Sequence, residues 1–241
     1  MIKVFWEYFK YLVRGLPAPP DKDFVFIKPG MKIFDIGANF GNYTRLFTQK
    51  GASVLAIEPQ PFCFSFLRLR FLFNPKVKLL RAGIGDAPGK LNMKVSSAHT
   101  LSSFNEEWIK RVKSTNRFKQ SSPVWEKTIS VEIRTLDQLI KQFEKPDYIK
   151  IDVEGFEKEV LAGLSQPVNY ISFEFTLPEL KQDAIDCIKK ISSLGLYRFH
   201  SIKSDNIKKL ISSKEIIEEI EQLSSGSELF NGDIFAEFAD E

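Results

Sequence analysis

Short apolar runs recur along this chain, with helical patterns between them. Runs that stay apolar without alternating, such as Ser53-Val54-Leu55-Ala56-Ile57-Glu58, fit strands buried on both faces. Strands are predicted at Lys32–Asp35, Val54–Glu58, Val77–Ala82, Tyr148–Asp152, Tyr170–Phe175, Leu196–Ser201 and Ile234–Phe238. Helices are predicted at Asn42–Gln49, Pro61–Phe73, Phe156–Ala162, Glu179–Ser193 and Lys214–Leu223. Strands that alternate with helices imply an α/β fold, a mainly parallel sheet covered on both faces. In the second helix Phe62, Phe66, Leu69 and Phe73 share one face, which predicts a core stripe.

Two stretches depart from this rhythm. Residues 96–127 are polar, basic and Ser-rich, with Trp108 and Trp125 set among them. The strand-like runs "KLNMKV" and "TISVEIR" flank them. A hairpin carrying so long an excursion is expected to hang over the C-terminal edge of the sheet, where ligands bind, as a lid. The alternative is a solvated insertion, with Lys110, Arg111, Lys113, Arg117 and Lys119 either drawing an anionic ligand or forming the polar face of a short helix. At the N-terminus Ile2, Phe5, Phe9, Leu12 and Leu16 recur at helical spacing before the stiff linker "LPAPPD". Residues 1–20 are therefore read as a helix and linker, and 21–241 as one domain. The helix is expected to pack on that domain or on a second copy, a route to a homo-oligomer. Shallow contact with a membrane surface is the alternative.

A chain of 241 residues can bury one sizeable core. A net charge of +3 is too small to argue for nucleic acid. Cys63 and Cys187 are far apart and make neither a disulfide framework nor metal-type spacing. With His99 and His200 the only histidines, no His-rich metal site is expected. The N-terminal segment is broken by Lys3, Glu7, Lys10 and Arg14, so it reads neither as a transmembrane span nor as a signal peptide. The expectation is a cytoplasmic protein.

The chemistry starts in Asp35-Ile36-Gly37-Ala38-Asn39-Phe40-Gly41. A strand breaks into a glycine turn, a helix follows, and the next strand ends on Glu58. Glu58 stands about 20 residues on, where an acidic residue accepts ribose hydroxyls in nucleotide-binding βαβ units. Gly37 and Gly41 are four apart, which is not the Gly-x-Gly-x-x-Gly spacing that leads a pyrophosphate onto a helix. The turn suits an adenosine with a cationic amino-acid tail. Gly37 admits the ligand without a Cβ in the way, and Asp35 is placed to hold an ammonium directly or through water. Ala38, Asn39 and Gly41 complete the proposed cradle.

This turn resembles that of S-adenosylmethionine-dependent methyltransferases. Together with "RTLDQL" and "IKIDVEGFEKEVLAGL" it is similar to the FkbM family, over roughly residues 27–176. The resemblance implies a class I methyltransferase fold, a Rossmann-like seven-stranded sheet with helices on both faces. It implies S-adenosyl-L-methionine as cofactor and methyl transfer, most often to a hydroxyl oxygen. It also points to the loop after the third strand, with Gly85 and Asp86, for contact with adenine. Asp137 in "RTLDQL" is expected to be structural, at a turn or helix start.

Methyl transfer to an alcohol needs an in-line acceptor and a group that takes its proton. Lys150, Asp152 and Glu154 alternate at a strand end, which puts them on one face while the strand continues. Adjacent carboxylates oppose each other's ionisation, so Asp152 or Glu154 is the expected general base, with Lys150 as balancing charge. Asp152 would also sit near the transferred methyl, as a cofactor contact. The pair could instead cap the next helix, or hold a divalent cation, for which no third ligand is evident. Glu174 is placed either to bind a sugar-like hydroxyl or as a plain strand-end carboxylate. No Asn-Pro-Pro-Tyr motif or paired-Glu loop is present, which favours oxygen over amine acceptors. The reading is O-methylation of a saccharide or small metabolite, with a nicotinamide oxidoreductase and a non-catalytic binding module as the competing classes.

Overall fold

The computed structural model describes residues 24–115, 117–118, 122–202, 209–224 and 229–239. The predicted N-terminal helix over 1–20 lies outside the described residues. The central sheet has the order β10-β9-β11-β8-β7-β1-β2-β3. These strands are β1 (Lys32–Ile36), β2 (Ser53–Ile57), β3 (Val77–Leu80), β7 (Tyr148–Ile151), β8 (Tyr170–Leu177), β9 (Tyr197–His200), β10 (Leu210–Ile211) and β11 (Phe230–Phe238). The run from β8 through β7, β1 and β2 to β3 is parallel, while β11, β9 and β10 join antiparallel. The two-residue β10 makes the sheet eight-stranded where seven strands were expected.

The unbroken apolarity of the strands is explained by two cores. Successive side chains point to opposite faces. Ile33, Val54 and Ala56 pack with α1 (Asn42–Gln49) and α2 (Pro61–Arg70) on one face. Phe34, Ile36, Leu55 and Ile57 pack on the other. That face is covered by α4 (Leu136–Phe143), α5 (Glu157–Ala162), α6 (Lys181–Ser193) and α7 (Ser213–Ser224). The helix α4 was not predicted, although Thr135 and Gln138 form a capping box at its start.

The core stripe expected on α2 is corrected. Phe66 is buried, but Phe62, Leu69 and Phe73 are 44%, 61% and 92% exposed. Cys63, Phe66, Leu67 and Phe71 face inward instead. That set also obeys helical spacing, and the segment is apolar nearly all round, so periodicity could not choose between the two faces.

The flanking strands of the insertion, β5 (Gly89–Val95) and β6 (Lys127–Arg134), form a hairpin as expected. They build a separate small sheet with β4 (Gly83–Ile84), in the order β4-β6-β5. Between them lie a 3-10 turn at His99–Leu101 and α3 (Glu106–Thr115). The strand β1 pairs with β2 on one side and β7 on the other. The chain reverses its direction of winding at this pair, which opens a crevice at the strands' C-terminal ends.

Candidate active site

The glycine turn is shaped by how close β1 comes to β7. A Cβ on Gly37 would stand 1.8 Å from the Asp152 carbonyl oxygen. Gly37 is also left-handed, with φ 82°, so no other residue fits there. The Gly37 and Ala38 amides both donate to Ile57 O, at 3.0 Å. Asn39 N donates to one Glu58 oxygen at 2.9 Å, and Gln60 N to the other at 2.8 Å. Glu58 is thereby pinned at the end of β2, and each oxygen keeps a lone pair for a ligand. Burial pushes its pKa up to about 7, against the pull of those amides.

Asp35 sits beneath the turn, 1% exposed. Its Oδ2 accepts from Thr44 Oγ1 at 2.5 Å, and its Oδ1 is buried without a hydrogen-bond partner. Burial raises its pKa, with Lys150 and Thr44 acting against that.

A cavity of about 540 Å³ opens over this turn. Gly37, Ala38, Asn39 and Glu58 line one side and Asp152 and Glu154 the other. Asp35, Gly41 and Lys150 are not among the residues that line it. Gly85 and Asp86 are also off it, because the chain turns away to bond Gly85 N to Arg134 O at 2.9 Å. The loop meets the cavity through Ala82, Gly83 and Ile84 instead.

The insertion roofs this cavity with Ser97, Ala98, His99, Thr100, Ser102 and Phe104. Gln60, beside Glu58, ties the roof down. Its Nε2 donates to His99 O at 3.0 Å and its Oε1 accepts from Ser102 Oγ at 2.9 Å. The insertion's basic residues have protein partners. Arg117 pairs with the buried Glu179 at 2.7 Å, Lys110 with Glu107 at 2.6 Å, and Lys113 lies 5.1 Å over the Trp125 ring. Arg111 donates to Glu179 O at 2.6 Å, and Lys119 lies outside the described residues.

The end of β7 and the turn after it carry Lys150, Asp152 and Glu154. The strand ends at Ile151, so the alternation that places Lys150 and Asp152 together does not extend to Glu154. Lys150 is 1% exposed, and its ammonium sits 2.6 Å from Asp152 and 4.1 Å above the Tyr43 ring. Burial works against that charge, but Asp152, Asp233 and Asp35 hold the ammonium well above its ordinary range.

Glu154 adopts a left-handed backbone, φ 56°, followed by Gly155 at φ 89°. A non-glycine residue there is uncommon and must be held in place. Glu157 accepts from Val153 N at 3.1 Å and Gly155 N at 3.2 Å. The insertion grips the carbonyls: Ser103 Oγ donates to Glu154 O at 2.6 Å, and Asn105 Nδ2 to Gly155 O at 2.7 Å. The Trp108 ring closes over Gly155, where a Cβ would meet it at 2.7 Å. The turn-capping work is done by Glu157, which leaves the Glu154 carboxylate to the cavity.

Glu174, on β8, joins this group. Carboxylate oxygens of Asp152, Glu154 and Glu174 lie within 4.8 Å of one another, the group among the described residues with spacing suited to a metal ion. Burial first, then neighbouring carboxylates, raise Glu154 and Glu174 well above the ordinary glutamate range. Glu157 rises to about 7, mainly by burial. Asp137 is structural: its Oδ1 accepts from Ser165 N at 3.0 Å in the first turn of α4. The sequence reading missed Gln60, Ser103, Asn105 and Glu157, whose roles depend on contacts outside local periodicity.

A family model described as the methyltransferase FkbM domain matches residues 35–221. The chain belongs to the FkbM methyltransferase family. It is similar to the hexuronic acid methyltransferase AglP of Haloferax volcanii, 27% identical over 68% of this chain and 62% of that protein. It is also similar to the 2-O-methyltransferase NoeI of Sinorhizobium fredii, 29% identical over 62% of this chain and 63% of that protein. The chain thus matches about three fifths of the length of these curated relatives. A solved TehB-like SAM-dependent methyltransferase from Corynebacterium glutamicum shares the fold: TM-score 0.50 and 11% identity over 99% of this chain and 97% of that one. The architecture is that of a class I methyltransferase. The walls fit S-adenosylmethionine, the cofactor of this FkbM family, on two observations. Glu58 keeps acceptor capacity for a ribose, and Asp35 keeps a buried unpartnered oxygen beneath the turn. The missing side chain of Gly37, expected to admit the ligand, instead makes room for the Asp152 carbonyl.

Proposed function

We propose that this FkbM-family protein transfers the methyl group of S-adenosylmethionine to a hydroxyl oxygen of a saccharide or small metabolite. The observation that carries the reading is the carboxylate group of Asp152, Glu154 and Glu174, of which Asp152 and Glu154 line the cavity beside the glycine turn. The names of the hexuronic acid and 2-O-methyltransferase relatives support oxygen on a sugar-like acceptor. A nicotinamide-dependent reading fails on the turn, where Gly37 and Gly41 do not present a pyrophosphate-binding spacing.

When bound, the cofactor supplies an electrophilic methyl on its sulfonium. Glu58 would hold the adenosine end by accepting from its ribose hydroxyls. Asp152 is held by Lys150 in a fixed place on the cavity wall, where it would favour a cationic group of the bound cofactor. Glu154 lines the cavity without that tie and would hold the proton that the acceptor hydroxyl gives up on methylation, the cofactor leaving as S-adenosylhomocysteine. Burial, with Asp152 and Glu157 close by, keeps the proton affinity of Glu154 high, which suits a base for a weakly acidic alcohol.

The first test is binding. S-adenosylhomocysteine should stabilise the protein in a thermal shift assay and NAD should not; the reverse would sink the proposal. The second is transfer of labelled methyl to a panel of sugars and small alcohols. Glu174 supplies the third carboxylate that a divalent cation would require. Turnover that survives exhaustive chelation supports Glu154 as base, whereas loss restored by added Mg²⁺ would make the three carboxylates a metal site.

A further inference from the structure

The outer face of α2 does not look like a finished protein surface. Phe62, Leu69, Leu72 and Phe73 are 44%, 61%, 64% and 92% exposed. They lie within one helix and the turn after it, while Cys63, Phe66, Leu67 and Phe71 bury the opposite face. A surface helix normally carries polar residues outside, and a contiguous exposed apolar patch marks an interaction site.

The charge around the patch has one sign. Between Asn42 and Arg81 the chain carries seven Lys and Arg side chains and a single carboxylate, Glu58, which is 2% exposed and bonded to Asn39 and Gln60 amides. Arg45, Arg68 and Lys76 are exposed around the stripe. No anion is therefore offered to solvent by this stretch. A second copy docked by two-fold symmetry would set this cationic face against itself, which is repulsive. A nucleic-acid backbone would meet the cations but leave the apolar stripe uncovered. An interface with anionic headgroups over hydrocarbon satisfies both features.

We propose that the outer face of α2, with the turn through Phe73, is a docking surface for an anionic lipid bilayer. Leu69, Leu72 and Phe73 enter the headgroup–acyl boundary, and Arg45, Arg68 and Lys76 meet lipid phosphates and carboxylates. The stripe begins at the cavity rim: the Phe62 ring stands edge-on to Phe40, 5.9 Å away, and Phe40 lines the cavity. Docking would bring that rim close to the membrane surface.

The experiment is flotation of the full chain with vesicles of phosphatidylcholine alone and with about a third phosphatidylserine. At low salt the anionic vesicles should bind at least about tenfold more protein, and high salt should weaken this. Leu69→Glu with Phe73→Glu should reduce binding to the background level at an unchanged thermal midpoint, since both side chains are exposed. Arg68→Glu with Lys76→Glu should remove the preference for phosphatidylserine, and this second pair keeps the test open if the first disturbs folding. The proposal is overturned if the wild-type chain ignores anionic vesicles, which would leave an acidic protein partner as the reading. It is equally overturned if all variants bind as wild type, which would assign the contact to another part of the chain.

Discussion

Glu154 is set apart from the other carboxylates by its backbone. Its left-handed φ of 56° is held from two sides, by Glu157 on the neighbouring amides and by Ser103 and Asn105 on the carbonyls. Replacing Glu154 by Gln keeps the shape and removes the proposed base. Turnover should fall by about 10²–10⁴-fold while S-adenosylhomocysteine affinity holds, as read by calorimetry beside a methyl-transfer assay. Glu154 titrates well above the ordinary glutamate range, and a base must be deprotonated, so turnover should climb with pH and lose that limb in the Gln variant. Glu58 gives a separate signal. Its pKa of about 7 in the free protein belongs to a carboxylate that the cofactor's hydroxyls favour in the charged form. Affinity for S-adenosylhomocysteine should therefore decline as pH drops below about 7, and Glu58→Gln should flatten that dependence.

The insertion between β5 and β6 is the element that joins the two halves of the site. It roofs the cavity through the His99 and Ser102 contacts with Gln60, and it grips the Glu154–Gly155 turn through Ser103, Asn105 and Trp108. Its composition announced an excursion but not these bonds, which reach 39 to 51 residues along the chain. Its basic residues looked like an attraction for anions, yet Glu179 and Glu107 neutralise Arg117 and Lys110. Gly155→Ala should test the grip. A Cβ there meets Trp108 at 2.7 Å in a left-handed backbone, so the change should cost about 1–3 kcal/mol in urea unfolding. Removing both donors, by Ser103→Ala with Asn105→Ala, should lower turnover by about tenfold or more. Ser103→Thr, which keeps a hydroxyl, should recover part of it.

At the scale of the molecule the site is a store of buried negative charge. Glu58 and Glu157 both rise from 4.5 to about 7 on folding. The folded state then binds more protons than the unfolded state between those values. The stability they support is therefore present at low pH and is lost as pH climbs through about 7. The thermal midpoint of the cofactor-free protein should fall between about pH 5 and pH 8 by this contribution. Glu157→Gln keeps an oxygen for the two amides it caps, so it should lessen the fall. Much of the architecture was legible in the linear chain. Element type and order, the glycine turn, Glu58 and the Asp152-Val153-Glu154-Gly155 turn all announce themselves locally, because strand and helix periods and sharp turns are set by neighbouring residues. What the linear chain left open was set by contacts between distant segments. The β7–β8 register, with Ile151 opposite Phe173, brings Glu174 to Glu154. The face of α2 that turns inward, the cap supplied by Glu157 and the bonds of the roof were likewise out of reach, because each depends on which distant surface a side chain meets when the sheet closes.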